Sequence, residues 1–101
     1  MLNASLNKDR LQLNINVSEQ FNFNVYRDFR NAYLQATQPN TQICVNLSSA
    51  KSIDSSAFGM LLLAREHAEK LGGSIVLKEP SEIAFKVLKI ANFDKIFEIV
   101  H

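Results

Sequence analysis

The spacing of the hydrophobic residues changes along the chain, and it restricts the fold more than any other feature does. In residues 2–6 and 11–17, hydrophobic and polar side chains alternate, which predicts two strands of an antiparallel hairpin with one polar face. From residue 22 to residue 36 the hydrophobic side chains recur every three or four positions, which predicts a helix that ends at Gln38-Pro39-Asn40. The first part of the chain is thus expected to be a hairpin followed by a helix.

Strands and helices alternate in the rest of the sequence. Apolar runs at residues 42–47 and 74–78 predict strands of the kind that is covered on both sides. Between them, capping residues at 54–56 and the pair Gly72-Gly73 delimit a second helix, whose predicted core stripe is Ala57, Leu61, Ala64, Ala68 and Leu71. A third helix is predicted at residues 81–90, and residues 96–100 are expected to end the chain as a strand or extended tail.

The resulting order, β-β-α-β-α-β-α-β, predicts an α/β fold. Its β-α-β units require parallel neighbouring strands joined by right-handed crossovers, whereas the initial hairpin is antiparallel. We therefore expect a mixed sheet of four to five strands with three to four packed helices. At 101 residues the chain suits one domain, spanning residues 1–101.

Charge and composition argue against several classes of function. The formal net charge is +1 and the basic residues are scattered, so neither nucleic acid nor an anionic membrane surface is an expected partner. The longest apolar run, Met60 to Ala64, falls far short of the roughly 20 residues that a membrane span requires, and the first residues lack the features of a secretory signal. We expect a cytoplasmic protein without membrane insertion.

The few residues suited to metal binding or catalysis are not arranged for either. Cys44 lies within an apolar strand and is expected to be a buried small hydrophobe. His67 and His101 show no spacing that implies a metal site or a catalytic base, and His67 is interpreted as a solvated helix residue. No cofactor, metal or enzymatic activity is therefore expected.

The turn Asp54-Ser55-Ser56 precedes the second helix and contains the residues of most chemical interest. Asp54 can cap the helix by accepting a hydrogen bond from one of its first N–H groups. A phosphate added to the following hydroxyls would meet the positive end of the helix dipole. Taken alone, the turn favours the simpler interpretation, in which all three residues only cap a helix.

Three further residues of the second helix, Phe58, Leu62 and Leu63, fall outside its core stripe. One interpretation is that another element covers them, since isolated apolar residues are common on surfaces. The other is an apolar contact patch beside Ser55 that a partner helix covers, together with Ser56. The sequence leaves both open.

From residue 42 to residue 100 the sequence resembles the STAS domains, and in particular the free-standing anti-sigma factor antagonists. Those domains typically contain an apolar strand with Asp-Leu-Ser-Gly, then Ile-Asp-Ser-Ser-Gly-Leu-Gly, Gly-Gly, a second apolar strand, a proline turn and Gly-Leu-Asp-Lys-Leu-Phe. The corresponding segments here are Ile43-Cys44-Val45-Asn46-Leu47-Ser48, Ile53-Asp54-Ser55-Ser56-Ala57-Phe58-Gly59, Gly72-Gly73, Ile75-Val76-Leu77, Pro80-Ser81 and Asn92-Phe93-Asp94-Lys95-Ile96-Phe97.

The resemblance implies a regulatory role. In the family, the serine directly after the aspartate, which is Ser55 here, is phosphorylated by a partner that is both an anti-sigma factor and a serine kinase of the GHKL ATPase type. The unphosphorylated domain binds this partner, and phosphorylation ends the binding. A PP2C-type serine phosphatase restores the active form. Ser56 is the less favoured acceptor, and we expect the isolated protein to be a monomer.

The chain also departs from the family pattern. Ala57 and Asn92 replace common glycines; a helix tolerates the alanine, and asparagine readily adopts a left-handed conformation. Residues 16–21 replace the usual Gly-Glu-Leu-Asp of a loop that often contacts the partner, so the identity of the partner is open. The alternative within the family is an unphosphorylated scaffold, such as the STAS subunit of a lipid-transport ABC system.

Overall fold

The computed structural model describes residues 2–101, which form a five-stranded mixed sheet, a separate two-stranded pair and three α-helices. The strands are β1 (Asn3–Asn7), β2 (Gln12–Asn16), β3 (Gln20–Phe21), β4 (Gln42–Asn46), β5 (Ser52–Ile53), β6 (Ser74–Lys78) and β7 (Glu98–Val100), and the helices are α1 (Tyr26–Tyr33), α2 (Ser55–Lys70) and α3 (Glu82–Ile90). Short 3-10 turns at Phe23–Val25 and Phe93–Lys95 follow β3 and α3.

The strand order of the large sheet is β1-β2-β4-β6-β7. The hairpin partners β1 and β2 are antiparallel, and each later neighbour is parallel. This arrangement confirms the predicted mixed α/β sheet, including the last strand. Within residues 2–101, no helix is long and apolar enough to cross a membrane.

The register of the sheet separates an apolar face from a polar one. Leu13 pairs with Ile43, and Ile15 with Val45, so that fully buried side chains form rows across neighbouring strands under the helices. On the other face Cys44 is also buried, but its thiol contacts Gln12 and Gln42, at 3.5 Å each, rather than a helix. Side chains on both faces of β4 are therefore buried, as predicted, although on the second face the contacts of Cys44 are with amide side chains of the sheet itself.

The first helix is shorter than predicted. It begins at Tyr26, because Phe21 belongs to β3 and a 3-10 turn capped by Asn22 carries the chain from that strand to the helix. The Asn22 side chain accepts a hydrogen bond from the Asn24 N–H at 2.9 Å. Phe21 is fully buried, with its ring centroid 5.3 Å from that of Phe29, so core packing sets this departure from a continuous helix.

Candidate functional site at the start of α2

Asp54 is the N-cap of α2. Its backbone is extended, and its Oδ1 atom accepts hydrogen bonds from the N–H groups of Ser56 at 3.0 Å and Ala57 at 3.3 Å. The Ala57 N–H also donates to the Asp54 carbonyl at 3.1 Å. The Ser56 N–H has no backbone acceptor among the described residues, so the carboxylate supplies the one that it would otherwise lack. The cap fixes where the helix begins and makes Ser55 its first residue.

The two adjacent serines differ in their surroundings. The half-buried Ser56 donates its hydroxyl to Asp54 Oδ1 at 2.5 Å, so this hydroxyl is part of the cap. Ser55 is exposed, and its hydroxyl forms no hydrogen bond with any of residues 2–101. Of the two serines, Ser55 therefore presents the accessible oxygen.

Hydrogen bonding also sets the charge beside Ser55. The Ser56 hydroxyl, followed by the backbone N–H groups of Ala57 and Ser56, lowers the pKa of the Asp54 carboxyl below its usual value. The carboxylate is consequently ionised throughout the neutral pH range, and a negative charge stands next to the Ser55 side chain.

The two-stranded pair attaches residues 19–21 to this site. Gln20 and Phe21 of β3 pair in parallel with Ser52 and Ile53 of β5, directly before the cap. The Asp54 N–H also donates to the carbonyl of Phe21 at 3.3 Å. The segment that diverges from the family pattern thus lies beside the start of α2. Sequence analysis missed this pairing because two-residue strands have no hydrophobic period to detect.

Glu19 strengthens the same connection. Its carbonyl accepts hydrogen bonds from the N–H groups of Lys51 at 2.7 Å and Ser52 at 3.1 Å. Its carboxylate also forms an exposed ion pair with the Lys51 ammonium at 3.4 Å. Most of the attachment is therefore through the main chain.

Opposite sides of α2 differ in burial. The side toward the sheet buries four of the five predicted stripe residues and also Met60, which the sequence analysis had not assigned, while Leu71 is half-buried. Leu62 and Leu63 are each 41% exposed. Because seven residues make about two helical turns, Leu62 lies on the same side as Ser55. We call Ser55, Gly59, Leu62 and Leu63, all of them exposed, the Ser55 face.

Phe58 lies at the edge of this face rather than within it. Its ring centroid is 4.8 Å from that of Phe93, in the 3-10 turn after α3, and the side chain is half-buried. For Phe58, the interpretation that another element covers the side chain is therefore the better one. Leu62 and Leu63 retain the exposure that a contact patch requires.

His67 lies away from the site. His67 is half-buried, and its Nε2 donates to the carbonyl of Ala36 at 2.7 Å, which joins the end of the α1 segment to α2. It is thus a bridge between elements, contrary to its interpretation as a solvated residue. It lies twelve residues after Ser55, about 18 Å along the helix axis. Among the described residues, no group of three or more metal-ligating side chains occurs.

Known proteins that are similar to this chain identify its family. The family model described as "Mlab, STAS domain" matches residues 4–100. A STAS-domain containing protein of Pseudomonas aeruginosa is 38% identical over 91 residues, which are 90% of each chain. The Thermotoga neapolitana homolog of TM1081, a candidate anti-sigma factor antagonist, is 31% identical over 88 residues, which cover 87% of this chain and 73% of the relative.

Solved structures show the same architecture. The unphosphorylated form of the anti-sigma factor antagonist SpoIIAA aligns with a TM-score of 0.79 at 20% identity, covering 100% of this chain and 89% of SpoIIAA. The phosphorylated form of SpoIIAA, a Bacillus cell fate determinant, aligns with a TM-score of 0.68 at 19% identity, covering 100% and 92%. The fold and the family model, which matches nearly the whole chain, lead to one conclusion: this chain belongs to the STAS-domain family.

Proposed function

We propose that this protein is an anti-sigma factor antagonist controlled by phosphorylation of Ser55. In its unphosphorylated form it binds an anti-sigma factor that is also a GHKL-type serine kinase, and phosphorylation by that kinase ends the binding. A PP2C-type phosphatase reverses the modification. The protein acts in the cytoplasm by binding and catalyses no reaction itself. The similarity to a candidate antagonist from Thermotoga and to both forms of SpoIIAA supports this proposal.

The observation that carries the proposal is the difference between Ser55 and Ser56. A kinase needs a hydroxyl that it can reach, and the Ser55 hydroxyl is exposed, whereas that of Ser56 is engaged by Asp54. In the transfer, the Ser55 oxygen bonds to the γ-phosphorus of ATP, the bond to ADP breaks, and the hydroxyl proton passes to a base of the kinase. The phosphatase hydrolyses the phosphoserine with water and releases inorganic phosphate.

Electrostatics explain how the modification would end binding. Phosphate adds a charge of about −1.5 to −2 beside the ionised Asp54 carboxylate. Asp54 already occupies the N–H groups of Ser56 and Ala57, so the helix start has fewer donors left to neutralise the phosphate. The added charge therefore stays at the surface that the partner must cover, and the fold need not change.

The first test is the site of modification. We expect mass spectrometry of the protein from its native cells to find phosphate on Ser55 and not mainly on Ser56. The Ser56→Ala variant, expressed in the same cells, is the matched control and should remain phosphorylated. Phosphate confined to Ser56 would refute the assignment, and phosphate on neither serine under all growth conditions would favour a constant docking scaffold.

The second test is binding. We expect Ser55→Ala to bind the partner constitutively and Ser55→Asp to bind it less tightly, by about 1–3 kcal/mol or roughly 5- to 150-fold, because an unpaired charge would be desolvated in the interface. Calorimetric titration measures the affinities, and circular dichroism verifies that both variants are folded. Equal affinities would contradict the electrostatic switch and favour the scaffold, which docks without regulation at this serine.

A further inference from the structure

The local backbone geometry requires two of the three glycines. Gly72 ends α2 with a φ of 68°, a left-handed conformation that other residues adopt at a cost. A Cβ atom at Gly73 would lie 1.9 Å from the carbonyl oxygen of Thr41, so no larger residue fits there without moving the backbone. Both positions need glycine for local geometry alone.

The local backbone geometry does not require glycine at residue 59. It lies inside α2, is exposed, and has no positive φ, and a Cβ atom built on it would meet no atom within 4 Å. Glycine in the interior of a helix is less stable than alanine by about 0.5–1 kcal/mol. The isolated domain is therefore expected to be more stable with alanine, and neither backbone strain nor a close contact within the described chain accounts for the glycine.

Gly59 lies on the Ser55 face, close to the accessible hydroxyl. Four residues after Ser55, it lies about 6 Å further along the axis and about 40° around the helix. Leu62 and Leu63 follow within the next turn and are each 41% exposed. Because glycine has no side chain, the helix backbone is uncovered between the accessible Ser55 hydroxyl and the two exposed leucines.

We propose that Gly59 is the point at which the kinase partner approaches α2 most closely, so that the backbone of the partner lies against the helix beside Ser55. The inference rests on the proposed function and extends it to a positioning residue. Phosphoryl transfer requires the reacting atoms to come within about 3–3.5 Å, and a displacement of about 1 Å can slow a reaction roughly 100-fold. A methyl group at residue 59 would hold the partner away from both Ser55 and Leu62.

The test uses the purified protein that binds Ser55→Ala more tightly than it binds Ser55→Asp. Gly59→Ala is expected to raise the melting temperature of the domain by about 2–8 °C, from the helix propensity of alanine in a domain of this size. It should also weaken the affinity for that protein by about 10-fold or more, and slow Ser55 phosphorylation by about 10- to 100-fold. Gly59→Leu should weaken binding further.

Lys70→Ala is the matched control, because Lys70 is an exposed residue at the far end of the same helix, about 16 Å along the axis from Gly59. It should bind and be phosphorylated like the wild type. Wild-type affinity in both Gly59 variants would overturn the inference while leaving the proposed function intact. A lower melting temperature of Gly59→Ala would also overturn it, because the fold itself would then need the glycine. If no protein distinguished the two Ser55 variants, the proposed function and this inference would both fall.

Discussion

The two ends of α2 differ in how far the fold itself explains which residues stand there. At its C-terminal end, Gly72 and Gly73 are required by a left-handed turn and by the close approach of Thr41, and His67 bonds to the α1 segment. At its N-terminal end, the fold uses Asp54 and the Ser56 hydroxyl but makes no use of the Ser55 hydroxyl or of the small size of Gly59. A residue that the fold does not need is the better candidate for contact with another molecule.

The strongest test of this contrast is at the C-terminal end. Gly73→Ala places a Cβ atom 1.9 Å from the Thr41 carbonyl oxygen and 2.8 Å from its carbonyl carbon, both backbone atoms next to β4. We expect a loss of about 3 kcal/mol in the free energy of unfolding, since neither backbone can shift without disturbing the sheet. Urea denaturation measures it, with Gly59→Ala as the comparison of opposite sign. Equal stability of Gly73→Ala and the wild type would remove the distinction between the two ends.

A smaller effect is expected at the cap. Asp54→Ala removes the carboxylate that accepts from the Ser56 and Ala57 N–H groups, of which only the Ala57 N–H keeps a backbone acceptor. It should lower the melting temperature by about 4–8 °C, as the loss of a typical helix cap does in a domain of this size. Ser55→Ala is the matched control and should melt like the wild type, because the Ser55 hydroxyl contributes no bond to the cap. If both variants melted at the same temperature, the Asp54 side chain would contribute no more to the cap than the Ser55 side chain does.

The smallest effect is a dependence on pH. Hydrogen bonding lowers the pKa of Asp54 in the folded state, so its ionised form stabilises the fold above its unfolded pKa of about 3.8, and this contribution is lost as the pH falls through the folded value. Asp54→Asn keeps a side-chain oxygen as acceptor but does not titrate there. The difference in melting temperature between wild type and Asp54→Asn should therefore shrink as the pH falls below the unfolded pKa of Asp54. A difference that is constant with pH would show that the carboxylate has no such role.

Most of the large sheet could be predicted from the sequence, because its strands and helices are long enough to show a hydrophobic period. Asn92 is left-handed, with a φ of 61°, as expected for asparagine at a family glycine position. The pairing of β3 with β5 could not be predicted, since it depends on two residues in each strand and on the burial of Phe21. This packing also shortened the predicted first helix.

The resemblance to the family favours Ser55 over Ser56 as the acceptor, but it supplies no physical reason for the difference. The residues alone leave two adjacent serines after an aspartate equivalent, and only the positions of the atoms show that Asp54 engages the Ser56 hydroxyl. In the same way, the period of α2 placed Phe58 with Leu62 and Leu63, whereas its contact with Phe93 depends on a segment 35 residues later in the chain. Long-range packing of this kind has no local signal.

The pairing of β3 with β5 has a consequence for how such domains diversify. The hydrogen bonds at Glu19 and Phe21 that hold this segment involve main-chain carbonyls, so they do not depend on which side chains are present. The exposed side chains of Glu19 and Gln20 can therefore be exchanged beside the start of α2 while the buried Phe21 keeps the segment in place. The sequence of this surface can thus vary on an unchanged scaffold, because the main chain and one buried ring keep its position.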